Sequence, residues 1–261
     1  GPHQGASPIV IQKYKLLLFP IPKNACTVLK QLARRIMGVP DWAGGPHTRR
    51  NILHNQNING LVYLRSFSPE QATEMMTSPE WTRAVFLRDP LDRLLSAYLD
   101  KAVGGDHVKR ACGYQPRSFA DFVTLSATCK NNHWRPQKAY VDDKWWPYMT
   151  FTGLVSTAAL DMKELLQRLG LWEEFGSSGW PGGAIFQENG ARHATNARDQ
   201  KAAYYDEALR KKVLSVYAED IELVECAKIA VSPPLPSQTQ EDIEIVERAK
   251  IAVSPPLSSQ T

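Results

Sequence analysis

The chain has 261 residues, a length at which a single α/β domain can bury a substantial core. Its 31 lysines and arginines nearly balance 27 aspartates and glutamates, and the net charge of +4 is too small to indicate a nucleic-acid-binding protein. No apolar run approaches the ~20 residues that span a bilayer, and four cysteines are too few for a disulfide-rich scaffold.

The two ends of the chain differ from the region between them. Residues 1–7, which begin Gly-Pro-His-Gln, are interpreted as an expression scar left by cloning. We expect residues 8–230 to form a single domain and residues 231–261 to be a duplicated C-terminal tail.

An apolar strand, a loop and a helix form the first motif. Residues 15–21 predict a buried strand, and apolar residues at helical spacing predict a helix over residues 28–38. The loop between them, Pro22 to Thr27, offers backbone N–H groups at the positive end of the helix dipole, where phosphates bind. Lys23 adds a mobile positive charge, and Thr27 either caps the helix or donates its hydroxyl to the same anion. The loop has no glycine and no Walker A sequence, which argues against a nucleotide kinase.

The following elements predict a parallel sheet. Residues 39–60 lack a period and indicate a loop, residues 60–64 a short strand, residues 68–76 a helix and residues 83–87 the central strand. Strands that alternate with helices indicate a three-layer α/β sandwich with a central parallel sheet. Such sheets bind ligands beyond the carboxyl ends of their strands, where the Pro22 loop would lie.

The central strand runs directly into the second motif, which begins Arg88-Asp89-Pro90. Pro90 suits the first position of a helix, and apolar residues at helical spacing continue that helix to Tyr98. We expect this junction to bring Arg88 and Ser96 to one anion, with Arg93 either supporting that site or pairing with a neighbouring aspartate. The alternative is a buried Arg-Asp turn of a kind that any α/β protein can contain.

Aromatic residues concentrate between residues 130 and 150, after a predicted loop over residues 104–117 and a predicted helix over residues 118–125. They lie beside His133 and Arg135, and aromatic faces with interleaved polar groups suit a sugar ring or another flat acceptor. The alternative is that these rings fill the core between helices. The aromatic residues are Trp134, Tyr140, Trp145, Trp146 and Tyr148.

The C-terminal part contains a near repeat. A strand is predicted over residues 151–155, a helix over residues 160–171 and a last long helix over residues 202–225. Residues 219–239 then recur almost unchanged as residues 241–261. Two copies cannot form a solenoid, which needs about three repeats. The second copy is expected to dock on its own domain, to bind a neighbouring molecule in place of the first copy, or to stay free, so self-association is one expected outcome.

In this order and context, the two motifs resemble those of the sulfotransferase superfamily over roughly residues 15–225. There the first element, here Pro22 to Thr27, holds the 5′-phosphosulfate of 3′-phosphoadenosine 5′-phosphosulfate (PAPS). The second, here Arg88 to Tyr98, holds the 3′-phosphate. Residues 132–137 are similar to the His-Trp-x-Pro motif of the Golgi carbohydrate branch, which contains the chondroitin, dermatan and HNK-1 enzymes, and residues 192–197 precede a Tyr-Tyr pair as in many relatives. The resemblance implies a P-loop-kinase-like sulfotransferase fold.

The resemblance also implies a role for each candidate residue. Lys23 is expected to stabilise charge on the leaving group, and His133 to act as the general base. The alternative bases are His54, His107, His193 and Glu188. Donor contacts are expected from Pro22, Lys23, Asn24, Ala25, Cys26, Thr27, Arg88, Ser96, Thr195 and Asn196. Acceptor contacts are expected from His54, Trp134, Arg135, Trp145, Arg192 and His193, and no metal is expected.

The implied function is the transfer of a sulfuryl group from PAPS to an acceptor hydroxyl, with release of adenosine 3′,5′-bisphosphate (PAP). We expect a carbohydrate acceptor and no nucleic-acid partner. The first alternative is a small alcohol, phenol or lipid acceptor, and the second is a non-catalytic nucleotide-binding protein that interacts through its tail.

The implied location is the Golgi lumen, with a membrane anchor upstream of residue 1, and the alternative is the cytoplasm. A lumenal location would permit Cys112 and Cys129, on either side of the acceptor segment, to form a disulfide. Otherwise all four cysteines are free thiols. Cys26 is interpreted as a small residue that lets the loop close around phosphate.

Overall fold

The computed structural model of the chain describes residues 7–44, 52–187 and 196–231, and four strands of these residues form one sheet. The strands lie in the order β1-β2-β3-β4. β2, β3 and β4 are parallel, as predicted, whereas β1 is antiparallel to β2. Their bounds are β1 (Ile9–Ile11), β2 (Leu16–Phe19), β3 (Thr82–Leu87) and β4 (Phe151–Leu154).

The strand β1 is absent from the sequence-based prediction, because three apolar residues are too few to show a strand period. A tight turn over Gln12–Tyr14 folds it back onto β2, and Lys15 closes this turn with a left-handed backbone at φ 46°. The strand predicted over residues 60–64 is wrong. Tyr63 forms only an isolated bridge with Ile9 there.

The helices predicted from periodicity correspond to α1 (Cys26–Ile36), α2 (Pro69–Thr77), α3 (Pro90–Tyr98), α5 (Phe119–Thr128) and α6 (Ala158–Arg168). Two π-helical turns lie at Leu99–Val103 and Trp172–Gly176. None of the described helices is long and apolar enough to cross a membrane. The α-helices of the described residues are α1 (Cys26–Ile36), α2 (Pro69–Thr77), α3 (Pro90–Tyr98), α4 (His107–Cys112), α5 (Phe119–Thr128), α6 (Ala158–Arg168), α7 (Ala197–Tyr204), α8 (Glu207–Val216) and α9 (Ala218–Val231).

The sheet is buried on both faces, and this confirms the predicted three-layer sandwich. Alternate residues of β2 point to opposite sides, as a strand requires. Leu16 and Leu18 pack in a cluster with α1 and α6, whereas Leu17 and Phe19 pack in a cluster with α2 and α9. A third cluster, around Trp134, packs α3 against α5, α7 and α8.

Two segments differ from the prediction. Residues 104–117, predicted to be a loop, contain α4. The single helix predicted over residues 202–225 is instead the end of α7, then α8 and α9. The backbone is extended at Tyr205, and the Asp206 side chain then caps α8 by accepting the N–H of Leu209 at 2.7 Å. An aspartate that caps a new helix ends the old one, and the apolar period alone does not reveal such a break.

Candidate active site

The two predicted phosphate-binding motifs lie side by side. The parallel strands β2 and β3 end at the same edge of the sheet, and each is followed within a few residues by a helix, α1 or α3. Arg88 follows β3 directly, and its Nη1 donates to the carbonyl oxygen of Lys23 in the preceding loop at 3.1 Å. The contact shows that the two motifs adjoin at the carboxyl ends of parallel strands, where the sequence predicts them.

The loop before α1 has a backbone that suits an anion. Lys23 and Ala25 have φ angles of 69° and 56°. Non-glycine residues adopt such left-handed values at a cost of about 1–3 kcal/mol each. Ala25 is the N-cap of α1 and no side chain caps this helix, so its first turn presents N–H groups at the positive end of the helix dipole. Thr27 is the second residue of the helix and Cys26 the first, which excludes Thr27 as the N-cap and leaves its hydroxyl for an anion.

Asn24 fixes this loop to the sheet. Its side chain is fully buried, and Nδ2 donates to the carbonyl oxygen of Phe86 at 2.8 Å and to Oε1 of Gln137. Pro22 is held by a second bond, from Arg93 Nε to its carbonyl oxygen at 3.1 Å. The Asn24 side chain therefore organises the loop, and its backbone N–H is also engaged, donating to the carbonyl oxygen of Ile21 at 3.1 Å.

Lys23 forms an ion pair inside the site. Its Nζ lies 2.9 Å from Oδ2 of Asp100, which also pairs with Lys101 at 3.2 Å. Burial lowers the pKa of Lys23, and the Asp100 carboxylate opposes this shift. Burial alone would raise the pKa of Asp100, but the two lysines outweigh it and hold that pKa at about 2. Asp100 and Lys101 lie in the π-helical turn after α3, and such turns are frequent at functional sites.

Arg88 and Ser96 are on the strand–helix junction where the sequence predicts them. Arg88 is half-buried, whereas Ser96 is 2% exposed on α3. Burial lowers the pKa of Arg88, and the neighbouring Asp92 carboxylate opposes that shift. Their joint contact with a 3′-phosphate stays a prediction.

The rings of His133 and His107 pack edge to face. Their ring centroids are 5.1 Å apart, and the ring planes cross at 82°. Within the described part of the chain, His133 Nδ1 and His107 Nε2 are buried without a hydrogen-bond partner. Burial, then the charges of Lys101, His107 and Lys23, lower the pKa of His133 to about 3. The imidazole of His133 is therefore neutral near pH 7.

A disulfide holds the two histidine segments together. Cys112 at the end of α4 and Cys129 just after α5 are bonded, with their Cα atoms 5.8 Å apart. The sequence left this pair open against four free thiols, and the structure has the pair, with Cys26 and Cys226 free. His107 lies five residues before one half-cystine and His133 four residues after the other. The bond therefore joins the two segments that carry these rings.

Two of the predicted acceptor residues, Trp134 and Arg135, adjoin His133 in sequence but differ in burial. Trp134 is 1% exposed, its Nε1 donates to the carbonyl oxygen of Cys129 at 2.6 Å, and its ring packs on Phe122 at 5.2 Å. Trp134 is thus a core residue with no face open to a sugar, contrary to its predicted role. Arg135 is half-buried, with its guanidinium 5.0 Å from the ring centroid of Tyr140.

Trp145 lies away from this cluster, whereas His54 lies beside α1. Trp145 packs on Tyr148 at 5.7 Å, and the Tyr148 carbonyl accepts a bond from Arg83 near the start of β3, the strand end opposite Arg88. Trp145 is therefore not positioned to meet an acceptor beside His133. His54 is exposed, and its Nδ1 lies 3.3 Å from Nζ of Lys30 on α1.

Several predicted residues fall outside the described part of the chain. Asn196 is described and is an exposed residue at the start of α7, with φ 46°. In the described ranges, no group of three or more metal-ligating side chains occurs. The predicted residues outside the described ranges are Glu188, Arg192, His193 and Thr195.

Sequence reasoning missed four residues that shape the site. Asp100 and Lys101 follow a helix whose apolar period ends at Tyr98, and nothing in the pattern indicates that the next turn reaches Lys23. Gln137 ends the segment that was compared with the His-Trp-x-Pro motif, but its contact with Asn24 depends on the fold. Asp220 lies far along the chain on α9, and its backbone hydrogen bond from Gln137 has no sequence signal.

Comparison with known proteins places this geometry in a family. Carbohydrate sulfotransferase 14 of Homo sapiens is 28% identical over 148 residues, covering 49% of this chain and 37% of that protein. Carbohydrate sulfotransferase 10 of Xenopus laevis is 31% identical over 94 residues, covering 36% of this chain and 25% of that protein. Carbohydrate sulfotransferase 9 of Homo sapiens is 34% identical over 94 residues, covering 35% of this chain and 19% of that protein.

The chain thus spans well under half the length of these curated relatives. No solved structure matches it significantly. A family model described as "Sulfotransferase family" matches residues 8–225, which is most of the chain and includes both phosphate motifs and the two histidines. The chain belongs to the sulfotransferase family.

Proposed function

We propose that this protein transfers a sulfuryl group from PAPS to a hydroxyl group of a carbohydrate. The observation that carries the proposal is the 3.1 Å hydrogen bond from Arg88 Nη1 to the carbonyl oxygen of Lys23. It joins the second motif to the loop from Pro22 to Thr27, which we call the phosphate loop. Family membership supports the chemistry, and the carbohydrate sulfotransferases among the relatives support the acceptor class.

The site suits a donor that carries a phosphosulfate at its 5′ position and a phosphate at its 3′ position. The loop from Pro22 to Thr27 combines left-handed backbone, an uncapped helix N-terminus and the Lys23 ammonium, and we assign it the 5′-phosphosulfate. Arg88 and Ser96 are assigned the 3′-phosphate, and Thr195 and Asn196 remain donor contacts on sequence grounds alone. When bound, PAPS supplies the sulfuryl group and a phosphate leaving group.

Transfer divides the work between two residues. The acceptor oxygen forms the new bond to sulfur while the bond from sulfur to the bridging oxygen breaks, and the hydroxyl proton passes to His133. Lys23 stabilises the negative charge that grows on the departing phosphate. Donor anions close to Lys23 and Lys101 would offset the positive charge that now lowers the pKa of His133, so His133 becomes a stronger base when the donor is bound.

The acceptor site is proposed beside the two histidines rather than along the whole aromatic segment. Arg135 is half-buried next to this cluster, and we retain it as an acceptor contact together with His54, Arg192 and His193. Trp134 and Trp145 are left out, because the first lies in the core and the second lies near Arg83. A small alcohol, a phenol or a lipid is the alternative acceptor class.

We also propose that the protein works in an oxidising compartment, the Golgi lumen. The Cys112–Cys129 disulfide supports this location, because disulfides persist in secretory compartments and are rare in the reducing cytosol. A membrane anchor upstream of residue 1 stays a prediction.

Nucleotide selectivity tests the donor assignment. PAP is expected to bind and raise Tm, and AMP to do so far less, because only PAP carries the 3′-phosphate assigned to Arg88 and Ser96. At a ligand concentration of 100 times Kd, the stabilisation would be about 2.7 kcal/mol. Thermal unfolding with matched concentrations of the two nucleotides measures it, and equal shifts would contradict the assignment.

The repeated tail is proposed to act in self-association. α9 contains residues 219–231 of the first copy and packs through Asp220, Val224 and Ala227, each at most 3% exposed. The second copy carries the same packing residues. We propose that it takes the place of α9 on a neighbouring molecule. The corresponding residues of the second copy are Asp242, Val246 and Ala249.

Truncation after Thr239 separates this role from catalysis. We expect kcat to be unchanged, since residues 241–261 contain none of the proposed site residues, and self-association to decrease. Steady-state assays and light scattering on both lengths measure the two effects. A large fall in kcat at unchanged Tm would mean that the tail reaches the active site.

A further inference from the structure

Gln137 connects the two proposed donor elements. Its side chain is fully buried, and its Oε1 accepts the backbone N–H of Arg88 at 2.9 Å and a bond from Asn24 Nδ2. Its Nε2 donates to the carbonyl oxygen of Arg88 at 2.8 Å. One amide group therefore fixes both backbone polar atoms of Arg88 and the side chain that holds the phosphate loop.

Asp220 on α9 fixes Gln137 in turn. Its carboxylate is fully buried, and its two oxygens accept the backbone N–H groups of Gln137 at 2.7 Å and of Lys138 at 2.9 Å. Burial raises the pKa of Asp220, and these two hydrogen bonds oppose the shift. A buried carboxylate is costly unless it is satisfied in this way, so the position of α9 and the position of Gln137 depend on each other.

We propose that Gln137 and Asp220 are positioning residues that set the distance between the phosphate loop and Arg88. The inference rests on the proposed function, in which the loop binds the 5′ end of the donor and Arg88 binds its 3′-phosphate. Because both side chains are 0% exposed, they act on the donor through Arg88 and Asn24. A donor held at two ends loses affinity when the separation of its two binding elements is no longer fixed.

A second contact, made by Arg93, holds the phosphate loop independently of Gln137. Arg93 donates from Nε to the carbonyl oxygen of Pro22 at 3.1 Å and from Nη1 to that of Arg135 at 2.7 Å. The loop therefore stays attached to α3 when the Gln137 bonds are lost. We expect Gln137 and Asp220 variants to fold, with the Arg88 backbone displaced relative to the phosphate loop.

The test uses three variants of the full chain, with PAP and AMP as probes. Gln137→Met removes every side-chain hydrogen bond of Gln137, Gln137→Glu keeps the acceptor oxygen but loses the Nε2 donation, and Asp220→Asn replaces one of two acceptor oxygens by a donor. Calorimetry should show a rise in the PAP Kd of at least about tenfold for Gln137→Met and Asp220→Asn, with a smaller rise for Gln137→Glu. The AMP Kd should rise less, so selectivity for PAP falls. Donor KM should follow the PAP Kd, with little change in kcat at saturating donor.

Asp161→Asn is the matched control. Asp161 is also buried, at 2% exposed, and its Oδ2 accepts the N–H of Leu154 at 2.6 Å and the hydroxyl of Thr157 at 2.8 Å. Neither of these two hydrogen bonds involves Gln137 or the phosphate loop. The amide oxygen of Asp161→Asn is still able to accept both hydrogen bonds, so we expect at most a small fall in Tm and wild-type selectivity for PAP over AMP.

The outcomes separate this inference from the proposed function. Wild-type protein that fails to bind PAP would overturn the proposed function itself. Wild-type protein that prefers PAP, together with Gln137 and Asp220 variants of unchanged selectivity, would overturn only the positioning role. Equal loss of selectivity in Asp161→Asn and Asp220→Asn would also overturn it, because the effect would then be general destabilisation. If Gln137→Met does not fold, the selectivities of Gln137→Glu and Asp220→Asn decide.

Discussion

Replacing His133 by alanine is expected to lower kcat by ~10²–10⁴-fold, the usual contribution of a positioned general base. Its ring lies beside His107, within electrostatic range of Lys23, and has a buried Nδ1 without a partner in the described part of the chain. His133→Ala should retain the wild-type PAP Kd, because His133 has no part in the donor contacts. Steady-state kinetics and calorimetry on one preparation give both values.

The pH dependence of this base follows from its lowered pKa. Burial and the charges of Lys101, His107 and Lys23 lower the pKa of His133 from 6.5 to about 3. Neutral imidazole is thus already present throughout the range from about pH 5 to 8, and we expect no loss of the base form there in the donor-free protein. An NMR titration of His133 should give a low pKa without ligand and a higher pKa with PAP bound.

The same shift affects stability. Between pH 6.5 and about 3 the unfolded chain binds a proton at His133 that the folded chain does not bind, so the free energy of unfolding falls as pH falls through this window. His133→Ala should remove this part of the acid destabilisation. A fully active His133→Ala enzyme would contradict the assignment and transfer the role to His107, the facing ring, or to the other alternative bases.

Lys23→Ala should reduce kcat at saturating donor far more than Arg88→Ala does. Lys23 stabilises charge that grows in the transition state, whereas Arg88 mainly contributes to binding of the ground state. Loss of a buried charge-assisted contact costs roughly 1.5–3 kcal/mol. That range corresponds to about 10–150-fold in rate.

The Asp100 carboxylate provides a control for this comparison. In Lys23→Ala, Asp100 keeps its contact with Lys101 at 3.2 Å, but it loses the neutralising charge of Lys23 at 2.9 Å. The double variant Lys23→Ala, Asp100→Asn removes the Asp100 charge as well, and we expect it to remain slow. If Lys23→Ala changes only the donor KM, or if the double variant regains full kcat, Lys23 does not act on the leaving group.

The sequence was sufficient to predict the elements that carry the site. The buried runs of β2 and β3 and the helices after them are local patterns, so the adjacency of the phosphate loop and Arg88 follows from parallel pairing alone. The His133 segment was singled out by a motif, and the structure places its ring against His107. These predictions succeed because strand burial, helix period and the ends of parallel strands are properties of short segments.

The remaining features depend on contacts between distant segments. Asp220 meets Gln137 across 83 residues, and Cys112 pairs with Cys129 because α4 and α5 end close together. Trp134 has an aromatic ring of the kind that binds sugars, and only packing shows that this ring fills the core. Composition identifies what a side chain is able to do, whereas burial decides which of these roles is open to it.

Transfer of labelled sulfate from PAPS to a panel of carbohydrate acceptors tests the central claim most directly, with Lys23→Ala and the chain without acceptor as controls. We expect a sulfated carbohydrate formed in equal amount with PAP, and little product from Lys23→Ala. Protein that binds PAP but sulfates no carbohydrate would contradict it: label on a phenol, small alcohol or lipid would then identify another acceptor class, and no label on any acceptor would identify a non-catalytic nucleotide-binding protein.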